Sequence, residues 1–323
     1  MKIFYNAADK TGSGYYRMYL PAKYLSLAGH NIKMNTNSFP DKGQRDNLNL
    51  YIVQRGYSQE SLTMVESLKQ QGVTTAYDLD DDFWSIPDSN PRKDAWPEEK
   101  IRQAEQVMAA CGYVIVSTQP LADLVRKFNP KVVIIPNYVE ALYPTRKIKN
   151  KALRLGWAGG DSHEVDFTEE IVETLLYVKK KFQWELVFFG FIPEKLMGKV
   201  RFIRHVEPTL YLPELHSLNL DIGIAPLADI PFNKSKSPIK AVEYGALRIP
   251  YVASDIYPYR NHPGASLLAE NTTNSWLRQF EILRDARLRQ SIGERAHDYV
   301  QEHNYIKNKI NEILGFYEKM IGK

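Results

Sequence analysis

Three stretches of the chain carry side chains whose kinds and spacing could do chemistry. The first is Phe232-Asn233-Lys234-Ser235-Lys236-Ser237-Pro238-Ile239-Lys240-Ala241-Val242-Glu243-Tyr244-Gly245-Ala246. Ser237 followed by Pro238 reads as an N-cap and first helical residue, because proline has no N–H to waste there and a serine oxygen accepts an orphan donor. Lys240 then falls in the first turn, with Lys234 and Lys236 just ahead of it. Cations at a helix N-terminus oppose its dipole, at a cost of about 0.3–1 kcal/mol each. A bound anion removes that conflict: free N–H groups, the dipole and a lysine or two make a phosphate or diphosphate site. Glu243, one turn beyond Lys240, is placed to accept hydrogen bonds from ribose hydroxyls. The plainer alternative is a solvated basic loop with a Lys240–Glu243 ion pair.

The second stretch, Tyr77-Asp78-Leu79-Asp80-Asp81-Asp82-Phe83-Trp84, ends a strand with four carboxylates in five positions. Like charges so crowded require solvent, a cation or a proton-sharing partner. They could bind a metal as a D-x-D pair, supply a general base, or cap the next segment while holding an acceptor. The last two are preferred, with Asp80 and Asp81 pointing into a cleft. The third stretch is Gly156-Trp157-Ala158-Gly159-Gly160-Asp161-Ser162-His163, after one strand and before a helix. Gly159 and Gly160 there let backbone amides approach a ligand, and His163 is either a functional base or a local cap. At the N-terminus, Gly12-Ser13-Gly14 has no third glycine at dinucleotide spacing, so no complete Rossmann fingerprint is present. Gly14 is expected to line the cleft, and Arg17, one turn on, to touch a donor phosphate.

These residues need a scaffold. The 323 residues, 44% hydrophobic and 25% charged, suit two domains of roughly 150 residues. Short apolar runs alternate with amphipathic stretches, which predicts parallel α/β architecture. Strands are expected at Lys2–Asn6, Asn31–Asn35, Leu48–Gln54, Val73–Leu79, Tyr113–Ser117 and Val132–Ile135, with a helix over Tyr15–Ala28. A second series follows at Leu153–Trp157, Glu185–Phe189, Arg201–Arg204, Asp221–Ala225, Pro250–Ala253 and Ser266–Leu268. Between them, Asn137 to Lys151 holds Pro144 and the basic run Arg146–Lys151, and reads as a linker. The expected division is 1–145, 146–303, and a closing helix over 304–323 whose apolar face includes Ile306, Ile310 and Ile313. Two open α/β domains in series leave a cleft where their C-terminal strand ends meet, the usual ligand position in such sheets.

Composition bounds the rest. The single cysteine, Cys111, excludes an intrachain disulfide and any multi-cysteine metal site. No run approaches the ~18 apolar residues of a membrane span, and the N-terminus reads as a first strand rather than a signal core, so cytoplasm is the expected location. A net charge of +4 permits a phosphate ligand, an anionic membrane face or nucleic acid, and requires none.

The pattern K-S-x-x-K-x-x-E-Y-G-A-x-x-I-P-x-V-A-S, from Lys236 to Ser254, resembles the donor-binding segment of GT-B glycosyltransferases related to family 4. The resemblance implies two Rossmann-like domains facing across a cleft, with the closing helix packed back toward the N-terminal one. It implies that Lys236, Ser237 and Lys240 hold a donor diphosphate and Glu243 the ribose. In its usual form the family has two glutamates eight residues apart; Glu243 matches the second, and Ser235 stands at the first. It further implies sugar transfer from a nucleoside-diphosphate sugar to a hydroxyl, with retained configuration, no bound metal and no cofactor beyond the donor substrate. The stretch D-L-D-D-D-F-W-S-I-P-D-S-N-P, with L-P-A-K-Y-L and G-H earlier, is similar to phage and bacterial GT-B transferases; the location would then be host cytoplasm if the chain is phage-encoded. The acceptor could be a glycan, a lipid-linked sugar or modified DNA. Alternatives remain: an inverting enzyme with Asp80, Asp81 or His163 as base, a nucleotide-sugar epimerase, a phage-type transferase acting on hydroxymethylated DNA bases, and a non-catalytic anionic-polymer-binding module. Lys179-Lys180-Lys181 and Arg146–Lys151 are the charge runs such polymers would use.

Overall fold

In the computed structural model, which describes residues 1–144, 149–260, 262 and 267–322, the strands form two separate six-stranded parallel sheets. The first contains β1 (Lys2–Ala7), β2 (Asn31–Thr36), β3 (Leu50–Gln54), β4 (Thr74–Leu79), β5 (Tyr113–Val116) and β6 (Val132–Ile134), in the order β2-β1-β3-β4-β5-β6. The second contains β7 (Arg154–Ala158), β8 (Glu185–Gly190), β9 (Arg201–Arg204), β10 (Ile222–Ala225), β11 (Tyr251–Ser254) and β12 (Leu267–Ala269), in the order β12-β11-β10-β7-β8-β9. Every expected strand is present; Ser266, the expected start of the last, lies outside the described residues.

Burial explains why the apolar runs were legible. Strand β3, Leu-Tyr-Ile-Val-Gln, is buried at all five positions, as a central parallel strand covered by helices on both faces must be. The outer strands β2 and β9 are largely exposed and carry Lys33, Arg201 and Arg204, charges that discourage pairing with another chain. Each sheet reverses its winding once, between β1 and β3 and between β7 and β10. The loops after those strands are where such sheets take ligands.

The closing helix runs over Ile306–Met320 and packs on the first sheet's helical layer, burying Ile306, Ile313, Tyr317 and Met320 with Ile3, Leu20 and Leu25. The chain therefore crosses between the halves twice. The two crossings touch: Val139 N–H donates to the Asn304 carbonyl at 2.9 Å, and Ile306 N–H to the Val139 carbonyl at 3.0 Å. The expected boundary at 145/146, with Arg146, Lys147 and Ile148 of the basic run, lies outside the described residues. Among the described residues, no helix is long and apolar enough to cross a membrane.

Two local expectations are corrected. Tyr15–Ala28 is not one α-helix: Tyr15–Tyr19 forms a π-helical segment, and an α-helix follows at Leu20–Leu27. The wider turn lets the Tyr15 and Tyr19 rings stack at 5.5 Å while the Tyr15 and Tyr16 hydroxyls reach Glu140 and Glu243. Ser237 does not cap the next helix. That helix spans Ile239–Ala246 with Pro238 at its N-cap and no side chain bonded there, because the Ser237 hydroxyl instead accepts from Asn137 Nδ2 at 2.8 Å.

Candidate active site

The second half supplies a cluster of lysines beside a buried glutamate. Helix Ile239–Ala246 follows the loop after β10 and starts at the C-terminal edge of the second sheet, its first turn free of any side-chain cap. Lys240, only 9% exposed, lies over the Trp157 ring at 5.8 Å and 3.6 Å from Glu243 Oε2. Gly159, at the end of β7, makes room for it: a Cβ there would stand 2.6 Å from the Trp157 ring and 3.2 Å from Lys240 Nζ. Gly160 has open space around it, and its carbonyl accepts from His163 N–H at 3.3 Å. Lys234 turns outward to Asp229 at 2.8 Å, whereas Lys236 lies over the Phe232 ring at 4.7 Å, facing the first half.

Glu243 is 3% exposed and has two hydrogen-bond donors and one ion-pair partner. Tyr16 of the first half donates to Oε1 at 2.7 Å and Tyr211 to Oε2 at 3.1 Å, with Lys240 also beside Oε2. The pair anticipated from the sequence thus exists, but it is buried and hydrogen-bonded rather than solvated.

His163 is held by Asp166 at 2.6 Å. Asp166 also accepts from the Ala228 N–H at 2.9 Å and from Asn233 Nδ2 at 2.6 Å, so one carboxylate fixes both the imidazole and the loop that delivers Lys236. Burial, reinforced by the Lys236 charge, pushes the His163 imidazole down to about 4 against the pull of Asp166. His163 is neutral at pH 7, a weak base and a well-fixed hydrogen-bonding group.

In the first half the four carboxylates part company. Asp82 accepts from the backbone N–H groups of Trp84 and Ser85 at 3.1 and 3.2 Å and so caps the turn after β4. Asp78 is buried and paired with Arg17 at 2.7 Å. Asp80 accepts from the Ser13 hydroxyl at 2.6 Å, Ser13 in turn accepting from Gln54 Nε2 at 3.0 Å, while Asp80 Oδ1 is buried with no hydrogen-bond partner among the described residues. The Asp81 carboxyl is raised by burial and then by Asp80, with Lys236 and Arg55 acting against the rise. The Lys236 charge of the second half thus acts on Asp81 of the first. Among the described residues, no three His, Cys, Asp or Glu side chains converge in a metal-binding group.

Two expected donor contacts are overturned. The Arg17 guanidinium is fully buried, its Nε and Nη2 bound to Asp78 and its Nη1 to the Ile135 carbonyl and Asn137. None of it is left for a phosphate. Gly14 is confined by Asp9, whose carbonyl oxygen would lie 2.0 Å from a Cβ, and its N–H points at Asp9 Oδ1 at 3.2 Å. The protein's own aspartate fills the place where this loop would hold an anion.

Of the residues singled out in the sequence, the fold brings Lys240 beside Glu243, Trp157 and Gly159, and sets His163 within reach of the Lys236 and Lys240 charges, with Lys236 also acting on Asp81 of the first half. It keeps Arg17 and Gly14 below the surface and spends Ser237 on Asn137. Tyr16 and Tyr211, both bonded to Glu243, had no sequence signal, because a tyrosine hydroxyl's partner depends on contacts 227 and 32 residues away.

No protein-family model matches the chain, and no curated protein matches it in sequence. Its fold has many solved counterparts. Sucrose-phosphate synthase from Thermosynechococcus elongatus superposes with a TM-score of 0.70 at 14% identity, covering 99% of this chain and 98% of that one. HepE of Anabaena, in complex with UDP and glucose, gives 0.69 at 12% identity, with 99% of each chain covered. An alpha-glucosyltransferase in complex with UDP and a 13-mer DNA containing a HMU base gives 0.64 at 11% identity, again over 99% of each. At such identities the likeness is one of fold: this chain has the two-sheet GT-B architecture.

Proposed function

We propose that the chain is a glycosyltransferase that moves a sugar from a nucleoside-diphosphate donor to an acceptor hydroxyl, without a metal or cofactor and with retained configuration. One observation carries the reading. An 8-residue helix with an uncapped N-terminus keeps a nearly buried ammonium, Lys240, in its first turn at the winding switch of a parallel sheet. That placement opposes the dipole and desolvates a cation, and a diphosphate reverses both penalties. Structural neighbours crystallised with UDP, among them HepE and the DNA-bound alpha-glucosyltransferase, support a uridine donor.

In this reading Lys240, Lys236 and the free amides of the helix meet the charge that grows on the diphosphate as the glycosidic bond breaks, which lowers the barrier to the extent that they bind the leaving group better than the substrate. Glu243 takes the ribose. Asp80 and Asp81 hold the acceptor hydroxyl across the cleft, and His163, neutral and fixed by Asp166, orients the sugar or its phosphate. The first half, where the acceptor docks, carries 16 Lys and Arg against 16 Asp and Glu over residues 1–144. A polyanion gains little counterion release from such a surface, so an uncharged sugar acceptor is favoured over DNA.

The test is a melting-point screen with UDP, GDP, TDP and ADP and their sugars. A ligand that binds only the native state raises the transition by mass action. One nucleotide is expected to stabilise the wild type and to do so far less in Lys240→Ala; equal shifts in both would remove Lys240 from the donor site.

A further inference from the structure

Glu243 is an ionisable group with almost no exposed surface, and one of its covering hydroxyls comes from the other half of the molecule. Its two oxygens are not equivalent. Oε2 faces Tyr211 and Lys240, both from its own half, and Oε1 has the Tyr16 hydroxyl at 2.7 Å as its hydrogen-bond donor. A buried carboxylate oxygen left without a donor is costly. Tyr16 therefore performs for Oε1 the service that an alcohol of a bound ligand would perform.

We propose that Tyr16 is a surrogate ligand of the donor site: its phenol holds the Glu243 oxygen that a ribose hydroxyl takes over when nucleotide binds, so nucleotide binding and release of this cross-cleft bond are one event. This rests on the donor reading above. Three features support it. First, the chemistry matches, since phenol and ribose each offer one O–H donor to the same lone pair. Second, Glu243 is too enclosed for a ribose to reach while Tyr16 stays in place. Third, Tyr16 sits in the π-helical segment Tyr15–Tyr19, immediately after Gly14. Such segments are rare and recur at functional sites. Tyr16 also stays protonated, and so remains a donor, because burial and then the Glu243 charge push its ionisation far upward.

The energetic consequence has a definite sign. Donor binding must break the Tyr16 bond, so Tyr16 lowers nucleotide affinity by the worth of that bond, and its loss raises affinity by the same factor. A hydrogen bond to a charged group sets the scale at about tenfold.

The experiment is calorimetric titration of the full chain with UDP, comparing wild type, Tyr16→Phe, Tyr211→Phe and Lys240→Ala, with melting curves to confirm folding. Tyr16→Phe is expected to bind UDP about tenfold more tightly, whereas Tyr211→Phe, which loses a bond on the same carboxylate from within its own half, binds no more tightly than wild type. A merely structural tyrosine would weaken binding or leave it unchanged, and either outcome for Tyr16→Phe overturns the proposal. Lys240→Ala separates the two layers. If it binds UDP as well as wild type does, the donor site itself is misplaced; if it weakens binding while Tyr16→Phe fails to tighten it, only the surrogate role falls. GDP, TDP and ADP replace UDP should the wild type not bind it, and failure of all four removes the donor reading.

Discussion

Replacing Lys240 by alanine separates a phosphate-gripping cation from a structural one, and its effect can be sized. Lys240 Nζ is 3.6 Å from Glu243 and nearly out of solvent. Two unit charges 4 Å apart at an effective dielectric of 20 interact by about 4 kcal/mol, an upper limit, because Lys240 already serves Glu243 and would divide its field between that carboxylate and the diphosphate. A charge-assisted hydrogen bond, net of desolvation, contributes about 1.5–3 kcal/mol. The expected loss of donor affinity is therefore about 10- to 150-fold. Stability should change less: the Tyr16 and Tyr211 hydroxyls still cover Glu243, so the unfolding free energy falls by about 1–2 kcal/mol, within the usual range for single substitutions. Calorimetric titration with the nucleotide found by screening, alongside urea unfolding, reads both quantities. Affinity within threefold of wild type in a folded Lys240→Ala protein would refute the assignment. A collapse of stability with little change in affinity per folded molecule would recast Lys240 as a structural counterion to Glu243.

Other expectations follow from the same geometry. If Asp80 holds the acceptor as proposed, Asp80→Asn should lower turnover at least tenfold while donor affinity stays within twofold; weakened nucleotide binding would contradict that placement. Asp78→Asn strands the Arg17 guanidinium without its buried counterion and should cost about 3–5 kcal/mol in urea unfolding, an effect that the double variant Arg17→Met/Asp78→Leu should largely remove. His163 has an imidazole depressed to about 4 by burial and Lys236, below the unfolded value near 6.5. The unfolded chain then binds the extra proton first, so this contribution is complete above pH 6.5 and is lost as pH falls toward 4, by no more than about 3 kcal/mol. His163→Gln should flatten the stability profile across that window, and an unchanged slope would count against a buried neutral imidazole.

How far the sequence could be read depended on whether the relevant interaction was local. Strands such as β3 and β10 were plain because they are buried on both faces and their apolar runs need no context. Lys240 and Glu243 were legible because three residues along a helix fixes their proximity. The fate of Arg17 was not: an arginine one turn into a helix looks solvent-facing until β4 delivers Asp78 beneath it. Ser237 misled for a similar reason, since a serine before a proline caps a helix only if nothing else claims its hydroxyl, and Asn137, 100 residues earlier, does. Gly14 was expected to line the cleft, yet its N–H is taken up locally by Asp9, five residues before it.

The paired backbones at Val139 and Asn304–Ile306 bear on how the two halves can move. A single covalent crossing acts as a swivel, free to bend and to twist. Here two crossings run side by side and are stitched by a pair of backbone hydrogen bonds, so rotation about the long axis would shear those bonds whereas a bend across them would not. Two stitched crossings therefore resist twisting of the halves more than a single crossing would. The contacts across the cleft, Tyr16 with Glu243 and Lys236 near Asp81, are held in register by the same stitch.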